Sequence, residues 1–320
     1  MNKRHIPIFL AADDRYLPYL AVAVKSISDH SSDEYIYDVR ILSSEIPRAR
    51  LHMLLDMNLK NVKISTVNID KRISGIREEL SLRLRDYYSE SIYYRLFIPS
   101  MFPELNRALY IDCDVVLVDD IAKMYFTDIG DNILGAVADE SIPGVSAFCD
   151  YVDRWVGVPA GEYFNSGVLV MNLAKMRDEK IEEKFLHLLG KYNFDTVAPD
   201  QDYLNCLCKG RVRYLDLAWN KQPKEENPIP VSELHLIHYN MVNKPWHYSG
   251  ILYEQEFWRV ADTTPFAEEI RRDFEGYTDE QRKKDENGAM RLVMSAARIA
   301  DEEGGFASVV GRELAESFAQ

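Results

Sequence analysis

The chain has 320 residues, 47% of them apolar and 28% charged, with a formal net charge of −14 and a pI near 5.0. That suffices for one large α/β domain or two modest ones with a sizeable core. The acidic balance excludes a general nucleic-acid binder, which would present a basic face. A phosphorylated ligand would need a local device, either a divalent cation or a few convergent basic side chains.

In chain order, residues 6–11 form a short apolar run read as a buried strand. Residues 17–29 carry apolar side chains at helical spacing, with Pro18 tolerated in the first turn. Residues 37–42 read as a second strand. Residues 47–59 read as a helix that opens on Pro47 and carries Leu51, Leu54 and Leu55 on one face. Residues 61–67 alternate as a third strand. This order predicts a parallel sheet covered by helices on both faces. Further strands are expected at 108–112 and 133–138, each after a turn, then at 167–172 and 211–217. Helices are expected at 175–189 and 200–208. Residues 221–230 are polar and proline-rich, a loop beside the ligand site or on the surface. From about Phe266 the chain is charged and helical, and 290–299 is weakly amphipathic.

No internal repeat is present. The four cysteines, Cys113, Cys149, Cys206 and Cys208, lack paired zinc-type spacing and read as reduced thiols of a cytoplasmic protein. The apolar run at 6–11 is too short for a signal-peptide core. No stretch approaches the roughly 18 apolar residues of a membrane span. Peripheral membrane contact stays open, but from Tyr277 onward six basic residues face nine acidic ones, which disfavours an electrostatic anchor there.

The strongest chemical signal is Leu109-Tyr110-Ile111-Asp112-Cys113-Asp114-Val115-Val116. An apolar strand runs into two carboxylates one residue apart. In extended chain Asp112 and Asp114 project to one side and Cys113 to the other. They would stand at the carboxyl end of a parallel strand, where open α/β sheets bind ligands. Two hard oxygen donors suit Mg²⁺ or Mn²⁺. An Asp-x-Asp pair alone is often a solvated turn, but two carboxylates ending a buried strand call for a cation. Asp119 and Asp120, just beyond, read as a helix cap and solvated surface.

Three weaker signals accompany it. In His238-Tyr239-Asn240-Met241-Val242-Asn243-Lys244-Pro245-Trp246-His247, His238 can give a nitrogen ligand and Lys244 a phosphate-binding cation. A packed loop with an incidental histidine is the plain alternative. In Asn165-Ser166-Gly167, two small polar residues precede a buried strand and Gly167 permits a close approach; simple turn formation is the alternative. Asp200-Gln201-Asp202 opens a helix, where Asp200 could be only an N-cap.

Together, in order and spacing, these segments resemble glycosyltransferase family 8 from about Ile6 to Trp246. The resemblance implies a glycosyltransferase A-type fold: a Rossmann-like, mostly parallel sheet with flanking helices and a smaller C-terminal helical segment. It implies a catalytic domain at 1–250, with a nucleotide-binding part at 1–125 and an acceptor-side part at 126–250. Residues 251–320 would be a helical extension. The implied activity is retaining transfer of galactose or glucose from UDP-galactose or UDP-glucose to a glycan acceptor, with Mn²⁺ or Mg²⁺ as cofactor. A bacterial cell-surface glycan such as lipopolysaccharide is the default acceptor.

By the same match, Ala11 and Asp13 would contact uracil and Tyr16 would stack on it. Arg95, in Tyr94-Arg95-Leu96, would reach the donor. Asp112, Asp114 and His238 would be the metal ligands. Asn165, Ser166, Asp200 and Gln201 would surround the donor sugar, and Lys244 would hold the diphosphate. The sequence departs from the pattern at Met241, three residues after His238, where the family usually has glycine. That departure motivates a second reading, a UDP-sugar-binding protein without transfer. Glycogenin-like self-glucosylation and nucleotidyl transfer are further readings. The last would call for a glycine-rich, basic N-terminal loop, and Ala11-Ala12-Asp13-Asp14 is acidic.

Overall fold

The computed structural model describes residues 3–43, 46–70 and 90–318. Seven strands form the main sheet: β1 (Arg4–Ala11), β2 (Tyr35–Ser43), β3 (Val62–Asn68), β4 (Arg107–Ile111), β6 (Leu134–Ala138), β7 (Phe164–Asn172) and β8 (Val212–Tyr214). Two short strands, β5 (Val115–Leu117) and β9 (Leu236–His238), pair separately. The spatial order is β3-β2-β1-β4-β7-β6-β8. The pairs β1–β2, β2–β3, β1–β4 and β6–β8 are parallel, while β7 runs antiparallel to both its neighbours. The sheet is thus mostly parallel, as the strand–helix alternation predicts.

The central strands are apolar without alternation because both their faces are covered. Ile6, Ile8, Phe9 and Leu10 of β1 are all fully buried. One face packs on the Leu17–Asp29 helix, where Leu17, Leu20, Val24 and Ile27 are buried. The other packs on a second core that contains Tyr94, Phe97, Phe185 and Tyr203.

Several boundaries differ from the sequence reading. The helix expected at 47–59 is only Arg48–Leu55, with Pro47 at its N-cap. The helix expected at 175–189 is two, Leu173–Asp178 and Ile181–Lys191, because Lys180 takes a left-handed conformation (φ 53°) between them. The strand expected at 211–217 shrinks to β8, followed by a 3₁₀ turn at Leu217–Trp219. β7 begins three residues earlier than expected, at Phe164.

Four helices follow residue 253: Glu254–Ala261, Ala267–Gly276, Asp279–Ala300 and Phe306–Phe318. The third has a capping box at Thr278 and Gln281. They pack on the rest of the chain. Phe257, Val260 and Ile270 join the core under the Leu17–Asp29 helix, and Leu292, Ala296, Ile299 and Phe306 join the second core. Among the described residues no helix is long and apolar enough to cross a membrane.

Inside the second core, Asp202 accepts hydrogen bonds from the hydroxyls of Tyr151 (2.7 Å) and Tyr163 (2.6 Å) and from the Ala198 amide (3.0 Å). Burial pushes its carboxyl up to about 7, against the pull of those donors. The folded state therefore holds this proton more tightly than the unfolded chain. The associated stability is complete below pH 3.8 and is lost as pH rises through about 7. Melting temperature should thus fall over that window in the wild type relative to Asp202→Asn, by about 2 °C or more. Parallel melting curves across the window would refute this.

Candidate active site

Asp112 and Asp114 lie in the bend between β4 and β5, not within a strand, so strand alternation is not what brings them together. Two ladders fix the bend. At the end of the β4–β7 ladder the Asp112 amide donates to the Gly167 carbonyl (2.8 Å). At the start of the β5–β9 ladder Val115 pairs with His238, and the Tyr239 amide donates to the Asp114 carbonyl (2.8 Å). Register alone therefore gathers Asp112, Asp114 and His238. One ligand atom from each lies within 4.8 Å of the others, a set that could hold a metal ion. His238 Nε2 is 3.2 Å from Asp114 Oδ1 and 3.9 Å from Asp112 Oδ2.

The floor under this cluster is Gly167. A Cβ there would stand inside 3.0 Å of both Asp112 Oδ2 and His238 Cε1. The close approach that glycine permits is by the candidate ligands themselves.

The charges around the cluster are arranged in pairs. The Lys244 ammonium, almost fully buried, reaches Asp114 Oδ2 and the Tyr239 carbonyl. Burial would raise the Asp114 carboxyl, but Lys244 and then His238 outweigh it and hold it well below the usual carboxylate range. Arg95, in the 3₁₀ helix Glu90–Phe97, bonds Asp112 Oδ1 (3.0 Å) through Nη2, and its Nε lies 3.1 Å from Asp200 Oδ2. Its guanidinium also donates to the Ser166 carbonyl and stacks 4.2 Å above the Tyr110 ring. Asp200 accepts from Ser166 Oγ (3.0 Å). Burial pushes its carboxyl up, opposed by Arg95.

Asp200 is not the N-cap of its helix, Pro199–Leu207; Ala198 is. Gln201 is held at both ends of its amide: Oε1 accepts from the Ser166 amide (2.9 Å) and Nε2 donates to Asp139 (3.0 Å). Asn165 is held likewise, between the Gly167 amide (3.0 Å) and Asp139 (3.3 Å).

Beside the cluster lies the Ala11–Tyr16 turn. Asp13 accepts from the Tyr16 amide (3.0 Å) and pairs with Arg15, while Ala11 accepts from the Cys113 thiol through its carbonyl (3.1 Å). Tyr16 is 39% exposed, and its ring meets that of Tyr19 at 74° with centroids 5.6 Å apart. Every residue assigned a site role from the sequence lines a single cavity of about 1080 Å³, just above the usual range of about 300–1,000 Å³ for small-ligand sites.

The sequence reading missed part of that cavity. Asp139 and Gln222 line it, and so do Tyr277, Ala289, Leu292 and Val293 from the C-terminal helices. Those helices also grip the loop that carries Lys244. Trp246 stacks on Tyr19 (4.0 Å), whose hydroxyl donates to Asp273 (2.7 Å). His247 stacks on Tyr277 (3.7 Å), and burial pushes its imidazole down to about 4, so it stays neutral there. Arg282 donates to the His247 carbonyl (2.6 Å). The polar stretch 221–230 begins inside the protein, with Lys221, Gln222 and Pro223 buried, and Gln222, Pro223 and Lys224 at the cavity wall.

Met241 takes a left-handed conformation (φ 57°) and packs against the second core while lining the cavity. The loop keeps a backbone suited to glycine, at a cost of about 1–2 kcal/mol.

The fold and the site together define a glycosyltransferase of the A-type fold. The sheet superposes on that of the galactosyltransferase LgtC solved with donor and acceptor sugar analogues, with a TM-score of 0.65, 27% identity and coverage of 84% of this chain and 100% of that one. It also superposes on the bifunctional glycosyltransferase WbbM, with a TM-score of 0.72, 22% identity and coverage of 85% and 52% respectively. Residues 7–250 match the profile of glycosyl transferase family 8, and the chain belongs to that family. Relatives include a putative glycosyltransferase of Haemophilus influenzae, 28% identical over 75% of this chain and 72% of its own. Another is the lipopolysaccharide 1,2-glucosyltransferase of Escherichia coli K12, 26% identical over 82% and 79%.

Proposed function

We propose that the protein is a retaining hexosyltransferase that moves galactose or glucose from a UDP-sugar to a glycan hydroxyl and requires Mn²⁺ or Mg²⁺. The observation that carries this reading is the convergence of Asp112, Asp114 and His238 in one cavity with Lys244. Two carboxylate oxygens and one imidazole nitrogen are a donor set that fits Mn²⁺, and diphosphate oxygens can complete the shell. When bound, the cation neutralises charge that grows on the departing diphosphate.

The chain's own groups do the rest. Lys244 adds a second positive charge, already stripped of water, beside Asp114. Arg95 fixes Asp112 from behind, so that Oδ2 stays turned toward His238. Tyr16 offers a ring face for the uracil. Asn165, Ser166 and Gln201 present a rigid polar wall for sugar hydroxyls, since their partners hold them in one orientation.

The same hydrogen bonds bear on stereochemistry. The Gln201 carbonyl oxygen accepts from a backbone amide, and Asp200 is tied to Arg95 and Ser166. Neither is a free nucleophile for a double displacement. The acceptor oxygen therefore attacks from the side the diphosphate leaves, and its proton passes to the departing phosphate oxygen. A covalent glycosyl-enzyme trapped on Asp200 would sink this mechanism.

The reading is tested by offering a panel of UDP-sugars with Mn²⁺ and measuring UDP release and sugar transfer to oligosaccharides. Release from UDP-galactose or UDP-glucose that stops on chelation is expected. No release from any UDP-sugar would leave only a binding protein.

A further inference from the structure

Behind the candidate metal site, a chain of buried amides joins His238 to the residues around the sugar. The Gly167 amide donates to one side-chain atom of Asn165 (3.0 Å). A backbone N–H can only donate, so that atom must be the Asn165 carbonyl oxygen. The same oxygen faces a side-chain atom of Asn220 (3.0 Å), which must then be the Asn220 amide nitrogen. The other end of Asn220, its carbonyl oxygen, lies 2.8 Å from His238 Nδ1. An oxygen there can only accept, so Nδ1 must carry a proton. Flipping Asn220 would put two buried carbonyl oxygens in contact and lose the hydrogen bond to Asn165. Asn220 is 2% exposed and His238 1%, so water does not offer an alternative partner.

We propose that Asn220 is a positioning residue that holds His238 as the Nδ1–H tautomer and so keeps the Nε2 lone pair aimed between Asp112 and Asp114. This rests on the reading of those three residues as a metal site. The orientation is relayed from the strand backbone at Gly167 and is shared with the sugar wall, because Asn165 also bonds Asp139, to which Gln201 donates. Support of this kind behind a histidine ligand is typically worth 10–100-fold in metal affinity, about the range expected here. Asn220 does not itself line the cavity; it acts on the site through its hydrogen bonds to His238 and Asn165.

The test is calorimetric titration of Mn²⁺ into the wild type, Asn220→Leu and Asn220→Asp, with folding checked by circular dichroism. Asn220→Leu has no acceptor for Nδ1–H and should weaken Mn²⁺ binding about 10–100-fold. Asn220→Asp keeps the acceptor for Nδ1–H but loses the donor to Asn165, so it should lose clearly less Mn²⁺ affinity than Asn220→Leu, an outcome that bulk or packing alone would not produce. Should Asn220→Leu fail to fold, nitrogen-15 NMR of the wild type with Mg²⁺ and UDP reads the tautomer directly, and protonated Nδ1 with bare Nε2 is expected. A folded Asn220→Leu with unchanged Mn²⁺ affinity, or protonation at Nε2 in the Mg²⁺-loaded protein, overturns the inference. A wild type that binds no Mn²⁺ overturns the metal reading beneath it instead.

Discussion

Gly167→Ala is expected to weaken Mn²⁺ binding about 100-fold or more and to lower glycosyl transfer to match. The cause is steric. The new Cβ would overlap Asp112 Oδ2 and His238 Cε1 from below. The backbone at Gly167 cannot yield easily, because it accepts from the Asp112 amide and donates to Asn165. The candidate ligands must therefore move apart. Overpacking of this sort costs about 1–3 kcal/mol, less than the about 5–15 kcal/mol that holds a typical domain, so the variant should fold. Paired measurements of Mn²⁺ affinity and thermal unfolding separate the two effects. A folded variant with wild-type metal affinity would show that the three side chains do not act as one site.

Lys244→Met is expected to separate metal binding from catalysis. The Lys244 ammonium sits on Asp114 Oδ2, one of the carboxylates of the candidate metal set. Removing it takes away a competitor for that carboxylate, so Mn²⁺ affinity should hold or improve. Asp114 at the same time loses the strongest charge that keeps its carboxyl low. Its proton is then bound more tightly, and the gain in metal affinity should shrink as pH falls. Transfer should drop about 10²–10³-fold in kcat, the usual cost of one preorganised charge at a developing anion. Loss of Mn²⁺ binding along with activity would mark Lys244 as a scaffold for the loop. Unchanged kcat would remove it from the chemistry.

Much of this site was legible because its signals are local. An apolar strand that leads into Asp112 and Asp114 points to the candidate cluster, although the two residues lie on a bend instead of a pleat. The alternation of strands and helices from Ile6 to Val67 gave the parallel half of the sheet for the same reason: buried strands and amphipathic helices differ in period. The helix break at Lys180 was hidden because Arg177-Asp178-Glu179-Lys180 contains no glycine or proline to mark it.

Register was the other hidden layer. Nothing near His238 says that β9 will pair with β5, or that Asn220 will stand behind its ring. The salt bridges of Arg95 to Asp112 and Asp200 join residues far apart in the chain, and amide orientation in Asn165 and Gln201 is decided by partners elsewhere. The C-terminal helices read only as charged and weakly amphipathic. Their contribution lies in contacts made far along the chain, such as Leu292 at the cavity and, between two of the helices, half-buried Tyr277 on His247. Met241 shows the limit from the other side. The missing glycine motivated a reading without transfer, yet the backbone holds the left-handed conformation with methionine.

The central claim is that Asp112, Asp114 and His238 bind a divalent cation that in turn holds a uridine diphosphate. Calorimetric titration of UDP, with and without Mn²⁺, on the wild type and on Asp114→Asn tests it most directly. Binding by the wild type that requires Mn²⁺, and that disappears in Asp114→Asn, is the predicted result. Equal binding of UDP in the presence and absence of the metal, or no binding at all, would contradict it.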